Sequence, residues 1–209
     1  MIDFDTAAAR LPLVAILRGV RPDKVVAIGE ALVEAGFVLI EVPLNSPQPF
    51  DSISRLAAHL GDHALIGAGT VLDSRAAQDA VDAGARLLLA PNFVPEMVAT
   101  ARANRVASMP GVATATEAFA ALGAGADALK LFPARELGAG TIAAWRAVLP
   151  ASAWIFAVGG VDETGFAAFT KAGASGFGLG SSLYRAGDDA ATVSARAVAT
   201  VAAWQELGQ

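Results

Sequence analysis

The sequence predicts a (β/α)8 barrel, a single domain over residues 1–209 with an extra helix at its N-terminus. Two observations carry this. Short apolar runs alternate with amphipathic helical stretches along all 209 residues, and such alternation builds parallel strands covered by helices. Glycine also recurs where helices end: Gly36, Gly84, Gly125 and Gly173 each follow a helical stretch and precede an apolar run. A glycine just past a helix takes the left-handed conformation that closes it. These glycines recur at roughly 40 to 50 residues, about two strand–helix units each. An open doubly wound sheet would need fewer strands or a switch point, so about eight even units favour closure.

The elements follow in order. Phe4 to Arg10 starts the chain as a short helix. The first strand, Leu13–Leu17, ends at Arg18-Gly19, and Pro22-Asp23 opens a helix that runs to Ala35. The second strand, Val38–Val42, is closed by Pro43 and followed by a helix from Gln48 to Leu60. The third, Ala64–Gly67, leads into Ala68-Gly69-Thr70-Val71, and its helix is Ser74–Ala83. The fourth, Arg86–Ala90, is stopped by Pro91-Asn92 before a helix over Pro95–Ala103. The fifth is weak, Val106–Met109, and ends at Pro110-Gly111. Thr114, with Glu117 three residues on, is a capping box for the next helix. The sixth strand carries Lys130 within Asp127-Ala128-Leu129-Lys130-Leu131-Phe132-Pro133 and precedes a helix over Gly140–Val148. The seventh, Trp154–Val158, runs into Gly159-Gly160 and a helix over Glu163–Lys171. The eighth, Gly176–Leu179, runs into Gly180-Ser181-Ser182, and a long helix from Asp189 to Leu207 completes the fold.

Composition narrows the function. Hydrophobic residues are 55% and charged residues 17%, with much of the apolar content alanine on helices. No run is long and apolar enough for a membrane span, and no signal peptide is visible at Met1-Ile2-Asp3-Phe4-Asp5. A net charge of -5 with no basic run argues against nucleic-acid binding. With no cysteine there is neither a disulfide nor a thiolate metal site, which fits a cytoplasmic enzyme. The two histidines, His59 and His63, fall in a polar helix-to-strand turn and read as solvated surface positions.

A barrel of this kind builds its site at the C-terminal ends of the strands. Those ends read Arg18, Glu41, Thr70, Pro91-Asn92, Pro110-Gly111, Lys130, Gly159-Gly160 and Gly180-Ser181-Ser182. Lys130 stands among Leu129, Leu131 and Phe132, where burial disfavours its ammonium form, and a lysine of lowered pKa is an amine nucleophile for carbonyls. Glu41, between Ile40 and Val42, is its counterpart. Each is costly alone and tolerable beside the other, whether as a structural pair or as a nucleophile with a proton-moving carboxylate. Arg18 suits a bidentate carboxylate clamp. The backbone N–H groups of Gly160, Val161, Ser181 and Ser182 suit an anion, with a following helix N-terminus adding its dipole. Asn45-Ser46-Pro47 reads as turn and cap chemistry for the helix after it. Arg135 and Glu136 are open to ligand contact or to solvation, and Trp145, Trp154 and Trp204 read as packing residues.

At these residues the chain resembles a known family. Val14-Ala15-Ile16-Leu17-Arg18-Gly19, Ile40-Glu41-Val42-Pro43-Leu44-Asn45-Ser46, Gly67-Ala68-Gly69-Thr70-Val71, Pro110 to Glu117 and Leu129-Lys130-Leu131-Phe132-Pro133 are similar to the 2-keto-3-deoxy-6-phosphogluconate/phosphogalactonate aldolases. The resemblance spans nearly the whole chain. It implies a class I aldolase on a trimeric (β/α)8 barrel that needs no cofactor and no metal. Such enzymes cleave a phosphorylated 2-keto-3-deoxy sugar acid to pyruvate and glyceraldehyde 3-phosphate. By position, Lys130 matches the Schiff-base lysine and Glu41 the proton-shuttling carboxylate. Arg18 and Thr70 match the pyruvate-carboxylate region, with Pro91 beside them, and Gly159, Gly160, Gly180 and Ser181 match the phosphate region. Where the gluconate-type enzymes place a threonine before the paired glycines, this chain has Val158. A valine cannot hydrogen-bond a hydroxyl, so the resemblance leans to the galactonate branch. Use of the gluconate epimer, a phosphosugar isomerase or decarboxylase on the same barrel, and a barrel that only binds phosphorylated metabolites are the other readings.

Overall fold

The computed structural model describes residues 2–208. Helix α1 (Phe4–Arg10) precedes the barrel, and strands β1 (Leu13–Ile16), β2 (Leu39–Pro43), β3 (Leu65–Gly69) and β4 (Leu87–Leu89) follow in spatial order. Helices α2 (Val25–Glu34), α3 (Pro49–Leu60) and α4 (Ser74–Asp82) connect them. The second half holds α5 (Pro95–Asn104), β5 (Ala107–Met109), β6 (Gly111–Val112), α6 (Ala115–Ala124) and β7 (Ala128–Leu131). It continues with α7 (Ala134–Leu137), α8 (Ala139–Arg146), β8 (Trp154–Val158), α9 (Phe166–Lys171), β9 (Gly176–Leu179) and α10 (Ala190–Gln205).

The nine strands of the described residues form one parallel sheet, ordered β5-β4-β3-β2-β1-β9-β8-β7-β6. Its two outermost strands are one stretch of chain, interrupted at Pro110. Leu87, Leu88 and Leu89 pair with Ala107, Ser108 and Met109 on one side. On the other, the carbonyls of Ser108, Pro110 and Val112 accept from the N–H groups of Asp127, Lys130 and Phe132. The sheet therefore closes on itself as the expected eight-stranded barrel, with its fifth strand longer than the sequence suggested. Proline stops a ladder because it lacks a donor, but Pro110 contributes only its carbonyl here.

The strands are buried on both faces, the mark of a parallel sheet between a filled interior and a ring of helices. On β9 the alternation is plain. Phe177 points outward and stacks on Phe166, ring centroids 4.3 Å apart, with Trp204 at 5.9 Å. Inward, Gly176 and Gly178 leave room for β8: a Cβ on Gly176 would lie 2.7 Å from the Phe156 ring, and one on Gly178 would lie 2.7 Å from Val158. Helix α1 packs on the start of β8. Phe4 meets Trp154 edge-on at 6.3 Å, and Asp5 accepts a hydrogen bond from Trp154 Nε1 at 3.2 Å. All three tryptophans pack, as expected.

The capping box at Thr114 and Glu117 forms with both reciprocal bonds. Helix α7 was not expected, and the helix expected over Gly140–Val148 is α8. The stretch Glu163–Lys171 is a 3-10 turn, Glu163–Gly165, followed by α9.

Candidate active site

Lys130 sits at the centre of β7, level with Gly111 on β6 and Phe156 on β8. It is 5% exposed and lies on the wall of a cavity of about 640 Å3 at the C-terminal end of the strands. Its ammonium is held below its ordinary pKa, first by burial and then by Arg18, while Glu41 acts in the opposite sense. The Phe132 ring lies 5.0 Å from Nζ, a cation–π contact that favours the charged form.

Glu41 on β2 is 2% exposed, and its Oε2 has no hydrogen-bond partner. Burial pushes its carboxyl up to about 7, against the opposing pull of Lys130 and Arg18. The carboxylate occupies space that two glycines on β3 leave open. A Cβ on Gly69 would fall 2.1 Å from Glu41 Oε2, and one on Gly67 would touch the Glu41 Cβ at 3.4 Å. Glu41 and Lys130 feel each other's charge without direct contact: the ion pairs of the described residues are Arg21–Asp23, Arg55–Asp51, Arg75–Asp79 and Arg196–Asp188. A buried carboxyl raised to about 7, with a lysine of lowered pKa close enough to shift it, has the chemistry to exchange protons.

Arg18 reaches the cavity from the loop after β1 and is fixed by a 3.0 Å hydrogen bond to Asn45 Oδ1. Beside it, the Gly19 N–H donates to Ser46 Oγ at 2.9 Å. This corrects the expectation for Asn45-Ser46-Pro47. The segment does form a turn, but the residue before α3 is Gln48, left-handed at φ 43° and without a side-chain cap. The polar side chains brace the Arg18 loop instead.

The cavity wall also holds Val158, Gly159, Gly160, Gly180 and Ser181. Gly159 and Gly160 have φ of 98° and 72°, a conformation that favours glycine. Their carbonyls accept from the backbone N–H and the Nε of Arg135, at 3.0 and 2.7 Å. Among the described residues, the N–H groups of Gly160, Val161, Ser181 and Ser182 donate to no protein acceptor. After Gly160 a helical N-terminus does follow, a 3-10 turn at Glu163–Gly165 that runs directly into α9, whereas after Ser182 there is only a turn and α10 starts at Ala190.

Three of the sequence-predicted residues are not on the cavity wall. Glu41 is buried within reach of the charges of Lys130 and Arg18, which are on that wall. Thr70, half-buried, follows Gly69 and holds φ 58°, a left-handed conformation that costs a non-glycine residue roughly 1–3 kcal/mol. Pro91 backs Gly111, whose Cβ would lie 2.3 Å from the Pro91 carbonyl group. Phe132, Tyr184 and Arg185 line the cavity beyond the expected residues, and Arg135, open to ligand contact or to solvation by its sequence, borders it too. The signal for Phe132 was its place two residues after Lys130. His59 and His63 are exposed and border a separate cavity of about 410 Å3 with Arg86 and Val106. Among the described residues no three His, Cys, Asp or Glu side chains group together.

Residues 4–196 match the family model for KDPG and KHG aldolase. The chain belongs to the KDPG and KHG aldolase family. It is 49% identical over 196 residues to a probable 2-dehydro-3-deoxy-6-phosphogalactonate aldolase of Rhizobium meliloti, covering 94% of this chain and 92% of that protein. It is 46% identical to the 2-dehydro-3-deoxy-6-phosphogalactonate aldolase of Escherichia coli K12, covering 96% and 98%. Among solved structures, one described as native KDPGal superposes with a TM-score of 0.95 at 45% identity over 100% of both chains.

Proposed function

We propose that this family member is a class I aldolase that cleaves 2-dehydro-3-deoxy-6-phosphogalactonate to pyruvate and D-glyceraldehyde 3-phosphate. The observation that carries the reading is the pairing of Lys130 and Glu41, both buried, with pKa values pushed toward each other in one barrel interior.

Neutral Lys130 attacks the C2 ketone, and loss of water gives a protonated imine that acts as an electron sink. Glu41, directly or through water, takes the C4 hydroxyl proton as the C3–C4 bond breaks. Glyceraldehyde 3-phosphate leaves, and the enamine takes a proton at C3. Water then hydrolyses the imine, releasing pyruvate and free Lys130. Arg18, with Thr70 and Pro91, orients the keto acid carboxylate. The loops of Gly159-Gly160 and Gly180-Ser181 receive the phosphate, on the free amides of Gly160, Val161, Ser181 and Ser182. Val158, 3% exposed on the cavity wall, offers a methyl surface where a threonine would offer a hydroxyl.

The test is pyruvate release from the phosphogalactonate and phosphogluconate epimers side by side. Faster release from the galactonate epimer is expected. Release from neither would overturn the reading, and preference for the gluconate epimer would overturn the branch assignment. We further propose a homotrimer in the cytoplasm, as the resemblance implies. The exposed Leu72, Phe119 and Val148 provide apolar surface for subunit contacts, and sedimentation reads the state. Among the described residues no helix is long and apolar enough to cross a membrane.

A further inference from the structure

We propose that Tyr184 is a partition between two cavities and so limits the length of the aldehyde that the site accepts. The inference rests on the aldolase reading of the catalytic cavity and names a specificity residue that the reaction does not itself use.

A second cavity, of about 550 Å3, lies beside the catalytic one and is bordered by Gly19, Lys24, Ala27, Ile28 and Gly187. Among the described residues Tyr184 alone lines both. The chain crosses from one cavity to the other at two more places. Arg18 and Ala186 border the catalytic cavity, and their successors Gly19 and Gly187 border the second. These crossings meet: a Cβ on Gly19 would lie 3.0 Å from the Ala186 Cβ, so the loops after β1 and β9 touch. Tyr184, 4% exposed, completes the wall.

The wall is held in place from both sides. The N–H groups of Leu183 and Tyr184 donate to the Gly180 carbonyl, each at 2.9 Å, and Leu183 is buried. The Arg185 N–H donates to Asp188 Oδ2 at 2.9 Å, and the Asp188 N–H donates back to the Arg185 carbonyl at 3.0 Å. In the proposed reaction the aldehyde half is held by the β9 loop, which leads directly into Tyr184. A longer aldehyde meets the ring, and a packed wall does not yield to added methylenes without cost. The space behind the ring suits an uncharged chain. Arg21 pairs with Asp23, Asp188 with Arg196, and Asp189 accepts from the Thr192 N–H at 2.8 Å. That leaves Lys24 as the one charged side chain of this cavity without such a partner among the described residues, over the buried Ile28.

The experiment runs the proposed reaction in reverse. The enamine of Lys130 and pyruvate bonds through C3 to the aldehyde carbon, the new alkoxide takes a proton, and water releases the keto acid. The acceptors are uncharged 2-hydroxyaldehydes of three and six carbons, so no phosphate contact enters. The wild type should favour the short acceptor by tenfold or more in kcat/KM. Tyr184→Ala should raise the long-to-short ratio by about tenfold, the scale of one or two methylenes in a pocket. Tyr184→Leu should raise it less, and it carries the same test where alanine costs the fold. Tyr184→Phe should leave the ratio unchanged, because the ring is the wall. Ala27→Phe fills the second cavity from its far side. Alone it should change nothing, and in Tyr184→Ala it should return the ratio toward wild type. Borohydride trapping of pyruvate on Lys130 shows that each variant keeps its site. An unchanged ratio in both Tyr184→Ala and Tyr184→Leu would overturn the partition, as would a gain that Ala27→Phe leaves untouched. A wild type that adds pyruvate to neither acceptor nor to glyceraldehyde 3-phosphate would overturn the aldolase reading and this inference with it.

Discussion

Replacing Glu41 by glutamine should change how stability depends on pH, in a direction and size that the burial of this carboxyl sets. Its pKa rises from 4.5 to about 7 on folding. Between those values the native state holds a proton that the unfolded chain has released, so wild-type stability falls as pH climbs through the window. At 1.36 kcal/mol per pH unit the accumulated loss is roughly 3 kcal/mol, complete above about pH 7. Glutamine keeps the shape and never charges. The variant should therefore match the wild type near pH 4 and exceed it by up to roughly 3 kcal/mol at pH 8. Glutamine also removes the charge that supports the Lys130 ammonium, so part of the gain at high pH is offset where Lys130 is charged. Urea unfolding at intervals from pH 4 to 8 measures the gap. The same variant should lose about 10² to 10⁴ in kcat through the missing proton transfer. Two stability curves that stay parallel across the range would refute the claim that Glu41 is held buried and mostly unpaired.

Other residues give sharper local tests. Gly69→Ala places a methyl group on the Glu41 carboxylate. It should cost activity on the scale of Glu41→Gln and roughly 1–3 kcal/mol of stability; a fully active variant would show that the carboxylate sits elsewhere. Val158→Thr should raise cleavage of the gluconate epimer relative to the galactonate epimer, since a hydroxyl replaces a methyl group on the cavity wall. An unchanged epimer ratio would remove Val158 as the discriminator. Phe132→Leu removes the ring 5.0 Å from Nζ. A contact of about 1 kcal/mol favouring the ammonium is then lost, and the pH profile of pyruvate adduct formation should move down by roughly 0.7 pH unit. A profile that stays in place would show that the ring does not sense the charge.

Much of this was legible in the sequence because burial makes charge conspicuous. Lys130 and Glu41 stand out as single ionisable residues inside apolar strands, and strand alternation sends both to the barrel interior. The helix-ending glycines marked the units, and the paired glycines marked the loops with free amides. What escaped was set by contacts distant in sequence. Asn45 and Ser46 read as cap chemistry because capping is local, while their partners, Arg18 and Gly19, lie 27 residues away. Pro110 read as a strand end, yet closure needs only its carbonyl. Gly69 read as part of a strand-end turn, whereas its missing side chain is what houses the Glu41 carboxylate. Helix α7 is four residues long, too short for any periodicity to announce it.

Lys130 is the nucleophilic amine on which every step of the proposed reaction depends. Pyruvate with borohydride, followed by peptide mapping, tests that most directly. The expected result is one reduced pyruvyl adduct, on Lys130, absent when pyruvate or borohydride is omitted and absent from Lys130→Met. A protein that cleaves its substrate but carries no adduct at Lys130 would contradict the central claim.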